Sequence, residues 1–139
     1  MRPLSLVLDG IQSYRERTAF DFSGLGFAVF TGSNGSGKST IATASPRFAL
    51  YGETPADLDS FISTGAQEGR VELTFQEGSE VYRVIRGRAK KGKMSRPLLS
   101  FCRQNGDGWE PLDGANAAET NRKIAETLHM TLGLYDSTV

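Results

Sequence analysis

The sequence is poor in the residues that staple or metallate small proteins. It has one cysteine and one histidine in 139 residues. Cys102 alone can form no internal disulfide and no cysteine-rich zinc site, which sets aside the disulfide-bonded secreted scaffolds and fits a reducing compartment. Long hydrophobic runs are missing too. No stretch approaches the roughly 20 apolar residues needed to cross a bilayer, and the apolar run at Leu4–Leu8 is too short for a signal peptide. These absences lead us to expect a soluble, cytoplasmic protein with no membrane partner. Net charge is also absent, since sixteen basic residues balance sixteen acidic ones. Bulk charge therefore points to neither nucleic acid nor membrane. The last absence is local: Val81 to Arg103 contains no Asp or Glu, yet it holds half of the sixteen basic residues. Clustering of this kind can matter to an anionic partner at zero net charge.

What is present reads as one α/β unit with no repeat, low-complexity tract or interdomain linker. Leu4, Leu6 and Leu8 alternate with Ser5, Val7 and Asp9, the pattern of a strand with one buried face, ended by Gly10. Gln12–Arg17 is a polar connection, and Thr18–Phe22 a second strand turned at Ser23-Gly24. Phe27–Thr31 is apolar with little alternation, as in a strand covered on both faces. A helix is expected from Lys38 to Tyr51, capped by Gly52. Glu53–Gly69 is loop-like. Val71–Phe75 and Val81–Arg86 form a hairpin about Glu77–Glu80, and Leu98–Cys102 turns at Asn105–Gly108 into Trp109. Asn116 should cap a helix through about Leu128, with Ala117, Ile124 and Leu128 inward and Glu119, Arg122 and Lys123 exposed. Hairpins after such a helix imply a mixed sheet or a second sheet nearby.

The segment Gly32-Ser33-Asn34-Gly35-Ser36-Gly37-Lys38-Ser39 fits G-x-x-x-x-G-K-[ST] at every defined position. A phosphate needs several N–H donors converging on it, so the backbone must curl with few side chains in the way. Glycines 32, 35 and 37 permit that curl. The following helix offers free N–H groups and its positive dipole end. Lys38 supplies a point charge for the β- and γ-phosphates, and the Ser39 hydroxyl is placed to ligate Mg²⁺. An apolar strand before the loop and a helix after it are the context this motif requires.

Binding does not imply hydrolysis. Turnover also needs an acidic Mg²⁺ anchor at the end of a buried strand and a group that positions water. No segment after the loop is an apolar run ending in Asp or Glu. Glu72 and Glu77 read as solvated strand residues, and His129 as a surface residue at a helix end. No catalytic residue is therefore assigned.

The motif has company. Met1-Arg2-Pro3-Leu4, Ser13-Tyr14-Arg15-Glu16, Phe22-Ser23-Gly24-Leu25, the glycine loop and Phe48-Ala49-Leu50-Tyr51-Gly52 follow the order and approximate spacing of the SbcC family of DNA-repair ATPases, relatives of the SMC proteins. The resemblance continues through Phe61-Ile62-Ser63-Thr64-Gly65 and the hairpin to Leu132-Gly133-Leu134-Tyr135-Asp136. It implies a P-loop NTPase fold, the N-terminal lobe of an ABC-type ATPase head with a mixed sheet and antiparallel hairpins. It implies ATP and Mg²⁺ as cofactors. The residues expected around nucleotide are Gln12, Ser13 and Tyr14, then Asn34, Gly35, Ser36, Gly37, Lys38, Ser39 and Thr40, and Ile62, Ser63 and Thr64. The implied partners are the C-terminal lobe of the same ATPase, a second head, an SbcD-like nuclease and double-stranded DNA. Signature motif, Walker B acid and coiled coil do not occur before Val139, so the chain looks like a fragment spanning 1–139, inactive in hydrolysis without its other lobe. Relatives often have a basic residue at the position of Gln12. They also have one residue fewer between the loop lysine and the glycine after Ala-Leu-Tyr, and no proline there. Pro46 should therefore impose a kink, bulge or early helix end near Ser45.

Two readings of the basic run are open. Arg88, Lys90, Lys91 and Lys93 could contact DNA phosphates without reading sequence, or form a solvated hairpin extension. A stand-alone nucleotide-binding regulatory module without turnover is likewise an open alternative to the repair ATPase.

Overall fold

The computed structural model describes residues 1–26, 29, 31–33, 37–54, 57–90 and 97–138. Six strands form one sheet: β1 (Arg2–Asp9), β2 (Thr18–Asp21), β3 (Glu68–Glu77), β4 (Glu80–Ala89), β5 (Leu98–Asn105) and β6 (Gly108–Pro111). Their order is β2-β1-β3-β4-β5-β6, and every pairing among the described residues is antiparallel. The mixed sheet expected from sequence is thus not seen among them. The strand expected at Phe27–Thr31 lies largely outside the described residues. Val29 and Thr31 have no regular structure, and Val29 is exposed.

Alternation decides which face is buried. Leu6 and Leu8 on β1, Val71, Leu73 and Phe75 on β3, Val84 on β4 and Phe101 on β5 point to one side and are buried. Onto that side pack a helical segment after the glycine loop, α1 (Ser45–Tyr51), and α3 (Ala117–Leu128). Phe48, Ala49, Leu50, Ile124 and Leu128 complete the core. Each such aliphatic or aromatic side chain contributes about 1.5–3 kcal/mol by leaving water. In α3 the inward residues are Thr120, Ile124 and Leu128, whereas Ala117 is exposed, so the inward stripe begins one turn later than expected. The Asn116 side chain does cap it, accepting from the Glu119 N–H at 2.9 Å. Between α1 and β3 the loop contains a short α2 (Leu58–Phe61), and a further helix, α4 (Leu132–Thr138), follows α3. The other side of the sheet is polar: Glu72 lies 3.8–4.0 Å from Arg17, Arg70 and Arg83, and Arg83 stacks 4.2 Å over Trp109.

The proline conflict is resolved by a π-helical turn at Thr40–Ala44, directly before α1. Ser45 N–H donates to the Thr40 carbonyl, five residues back. A π turn holds one residue more than an α turn. It absorbs the extra residue and leaves Pro46 in the first turn of α1, where its missing N–H is tolerated. The expected distortion near Ser45 is therefore a bulge. The helix then ends on Gly52, whose φ of 75° is left-handed and whose N–H reaches the Phe48 carbonyl at 2.7 Å.

Arg86 was not singled out by sequence, yet it is the largest side chain buried to within 1% of full enclosure. Its register on β4, two residues after inward-facing Val84, forces it into the core. Nε donates to the Ala49 carbonyl at 2.9 Å, and Nη2 to Leu50 at 3.4 Å and to Asn121 Oδ1 at 2.7 Å. Burial, and secondarily Arg88, lowers its pKa to about 10. It remains a cation at neutral pH, set against the negative end of the helix.

Candidate nucleotide-binding site

The helix that carries the glycine loop begins at Lys38, with Lys38 half-buried and Ser39 exposed. Lys38 Nζ donates to the Gly32 carbonyl at 2.5 Å, so the ammonium spans the two ends of the loop. Ser39 carbonyl accepts from Thr43 Oγ1 at 3.0 Å, and Ser39 is exposed at the helix start. Gly37 has φ 94°. A β-carbon there would lie 2.7 Å from the Tyr14 ring and hydroxyl and 2.8 Å from Ser13 Oγ. Only glycine fits, and this close approach is what brings the loop after β1 against the glycine loop. The Tyr14 hydroxyl points at the Gly37 carbonyl, 3.4 Å away, and burial raises its pKa. Tyr14 also meets Phe20 edge to face at 5.6 Å, which anchors the ring to β2. A free helix start, an ammonium above it and an accessible hydroxyl form a donor set that fits a phosphate with a divalent cation.

The candidates separate into layers. Gly37, Lys38, Ser39, Ser13 and Tyr14 come together at the helix start. Asn34, Gly35 and Ser36 lie outside the described residues. Thr40 is buried in the π turn, so its side chain faces the core. Ile62 and Ser63 are buried and Thr64 is exposed behind the Gln12–Tyr14 loop. Ile11 bridges to Ile62, Gln12 N–H donates to the Phe61 carbonyl, and Ser63 N–H to that of Gly10. Ser63 Oγ donates to the Gln12 carbonyl at 2.7 Å, and Arg15 to the Thr64 carbonyl. Gln12 has φ 49°, unusual for a residue with a side chain, and its amide is held by the Ser60 carbonyl at 2.8 Å. Ile62–Thr64 thus form the buttress of the first loop.

Of the basic candidates, Arg88 is half-buried beside Arg86, and Lys90 Nζ donates to the Ser63 carbonyl at 3.1 Å. Lys91 and Lys93 lie outside the described residues. No cluster of three or more His, Cys, Asp or Glu able to hold a metal occurs among the described residues. His129 is exposed at the end of α3, as expected. Among the described residues no helix is long and apolar enough to cross a membrane. The contacts of Lys90 and Arg15 had no signal in spacing, because both reach carbonyls distant in sequence.

Residues 5–132 match the model of the AAA domain family, and the chain belongs to that family. The likeness to SbcC read from the motifs is borne out. The chain is 35% identical over 132 residues to the SbcC component of the SbcCD nuclease of Deinococcus radiodurans, a match covering 92% of this chain and 14% of that protein. It is 32% identical over 145 aligned positions to the corresponding SbcC component from Bacillus subtilis, covering 95% and 12%. Against the probable DNA double-strand break repair Rad50 ATPase of Aquifex aeolicus it is 37% identical over 91 residues, covering 62% and 9%. The chain therefore spans between 9% and 14% of the length of these relatives.

Proposed function

We propose that the chain binds Mg·ATP through Gly32–Ser39 as the N-terminal lobe of an ABC-type P-loop NTPase head, within an SbcC-like ATPase for DNA double-strand-break repair. The observation that carries this reading is the pairing of Lys38 with the Gly32 carbonyl over the free start of its helix, with Gly37 packed on Tyr14. When phosphates arrive, Lys38 exchanges that carbonyl for the β- and γ-oxygens. The backbone N–H groups from Asn34 to Thr40 would supply further donors, and the Ser39 hydroxyl would hold Mg²⁺, which would supply positive charge to the phosphates. Ser13 and Tyr14 form the rim, and Gln12 with Ile62–Thr64 keeps it in place. The acid and water-positioning group that hydrolysis requires come from the C-terminal lobe, so turnover belongs to the assembled head. A second head, an SbcD-like nuclease and double-stranded DNA are its partners; the relatives' own names, which speak of a nuclease and of break repair, support that choice.

The test is a Mg·ATP titration of the chain and of its Lys38→Ala variant. Binding by the parent and a loss of at least about tenfold in the variant are expected, since a charge-assisted contact is removed. Equal affinity in both would refute the assignment.

A further inference from the structure

Lys90 sits where two parts of the molecule meet. It follows β4 at the start of the basic run, and its ammonium is only half accessible. Its backbone N–H donates to the Gln67 carbonyl at 2.9 Å and its Nζ to the Ser63 carbonyl at 3.1 Å. Ser63 is 1% exposed and is itself held on two further sides, by its N–H to Gly10 and its hydroxyl to Gln12. Gln12 precedes Ser13 and Tyr14, which touch Gly37. Three non-covalent contacts and the short chain from Gln12 to Tyr14 thus lead from Lys90 to the glycine loop.

We propose that Lys90 is a positioning residue for the nucleotide rim, and that its ammonium serves the Ser63 carbonyl in place of a DNA phosphate. The inference rests on the nucleotide-binding reading above. The carbonyl of Ser63, at a part-buried place, accepts from the Ala66 N–H at 3.0 Å and from Lys90, so the ammonium is its second donor and ties this turn to the end of β4. Gln12, with its left-handed backbone, is a strained residue that persists only while its surroundings hold it. Releasing Ser63 on the Lys90 side relaxes the turn that carries the Gln12 contact, and with it the approach of Ser13 and Tyr14 to Gly37. Lys90 thereby differs in role from the other cations of its run, although sequence alone gives all of them the same reading.

The experiment compares the full chain with Lys90→Met and Lys90→Arg in three measurements. These are Mg·ATP affinity, amide hydrogen exchange, and the salt dependence of binding to a DNA duplex. For Lys90→Met we expect nucleotide affinity to fall about fivefold, the size of one hydrogen bond. Exchange should rise at Gln12, Tyr14, Ser63 and Ala66 while Leu73 and Val84 stay protected. The salt slope for DNA should not change, and Lys90→Arg should restore both affinity and protection. Unchanged exchange and affinity overturn the proposal, and so does a DNA salt slope lower by about one, the mark of a lost phosphate contact. If the parent binds no nucleotide, the functional reading fails by itself. Exchange at Gln12 and Ser63 then still decides whether Lys90 holds the loop.

Discussion

Gly52 and Arg86 occupy adjoining space so closely that a β-carbon on the glycine would lie 2.9 Å from the arginine Nη1. The same glycine ends the helix in a left-handed conformation, φ 75°, and the same arginine binds the last carbonyls of that helix. One position thus satisfies two demands, a backbone that turns and a cation that must reach past it.

Gly52→Ala should lower stability by about 1–3 kcal/mol, from left-handed strain together with crowding of the guanidinium. Arg86→Met should cost about 2–4 kcal/mol by leaving the carbonyls of Ala49 and Leu50 and the Asn121 amide oxygen without their donor. The double variant should lose less than the sum, because the crowding disappears with the arginine. Urea denaturation of all four proteins gives the coupling; strict additivity would show that the two do not interact.

Ser45 is fully buried at the junction of the π turn and α1, and its hydroxyl has no hydrogen-bond partner among the described residues. Ser45→Ala removes an unsatisfied polar atom and should stabilise the fold by about 1 kcal/mol. A rise in thermal midpoint is the expected result, and a fall would reveal a partner for the hydroxyl.

If Lys91 and Lys93 contact phosphates, replacing both with Glu weakens binding to every duplex alike and reduces the salt slope by about two. Fluorescence anisotropy across a salt series reads this directly. An unchanged slope would leave the solvated hairpin as the role of these residues.

Asp21 accepts from the Ser23 hydroxyl at 2.5 Å and from the Ser23 N–H at 2.9 Å, and these bonds hold its pKa below the ordinary carboxylate value. The folded state therefore binds the proton less readily than the unfolded state. The stabilisation is complete above the unfolded pKa and fades as pH falls through the folded one. Asp21→Asn should flatten the acid limb of a stability profile by lowering its neutral plateau towards the acid value, because the carboxylate's contribution is lost at every pH. A parallel shift of the whole profile would assign the effect to another group.

Much of this was legible because it is periodic. The alternation in Leu4–Leu8 and Val71–Phe75 fixed the buried face, Asn116 marked the start of α3, and Gly52 the end of α1. The proposal of phosphate binding at the glycine loop rests on spacing that is likewise legible in the sequence. Two things were hidden for a common reason: they depend on neighbours far away in sequence. Arg86 looked like one more member of a basic run until the register of β4 set it beside Val84. Lys90 belonged to the same run until the fold laid Ser63 against it. The burial of Thr40 was hidden for a local reason, the winding of its segment as a π turn. Pro46 gave warning of a distortion, although not of its kind, since a kink and a bulge satisfy the same missing N–H.

The order of the sheet has a consequence for how the molecule assembles. Strands β3 to β6 are neighbours both in sequence and in the sheet, a local contact pattern that forms quickly. Strand β1 joins them only at β3, across the entire stretch that contains the glycine loop and its helix. Closing so long a loop is the entropically expensive step. Strand β1 and helix α1 precede β3 in the chain, yet they must wait for Leu73 and Phe75 before Leu6 and Phe48 have a sheet to lie against.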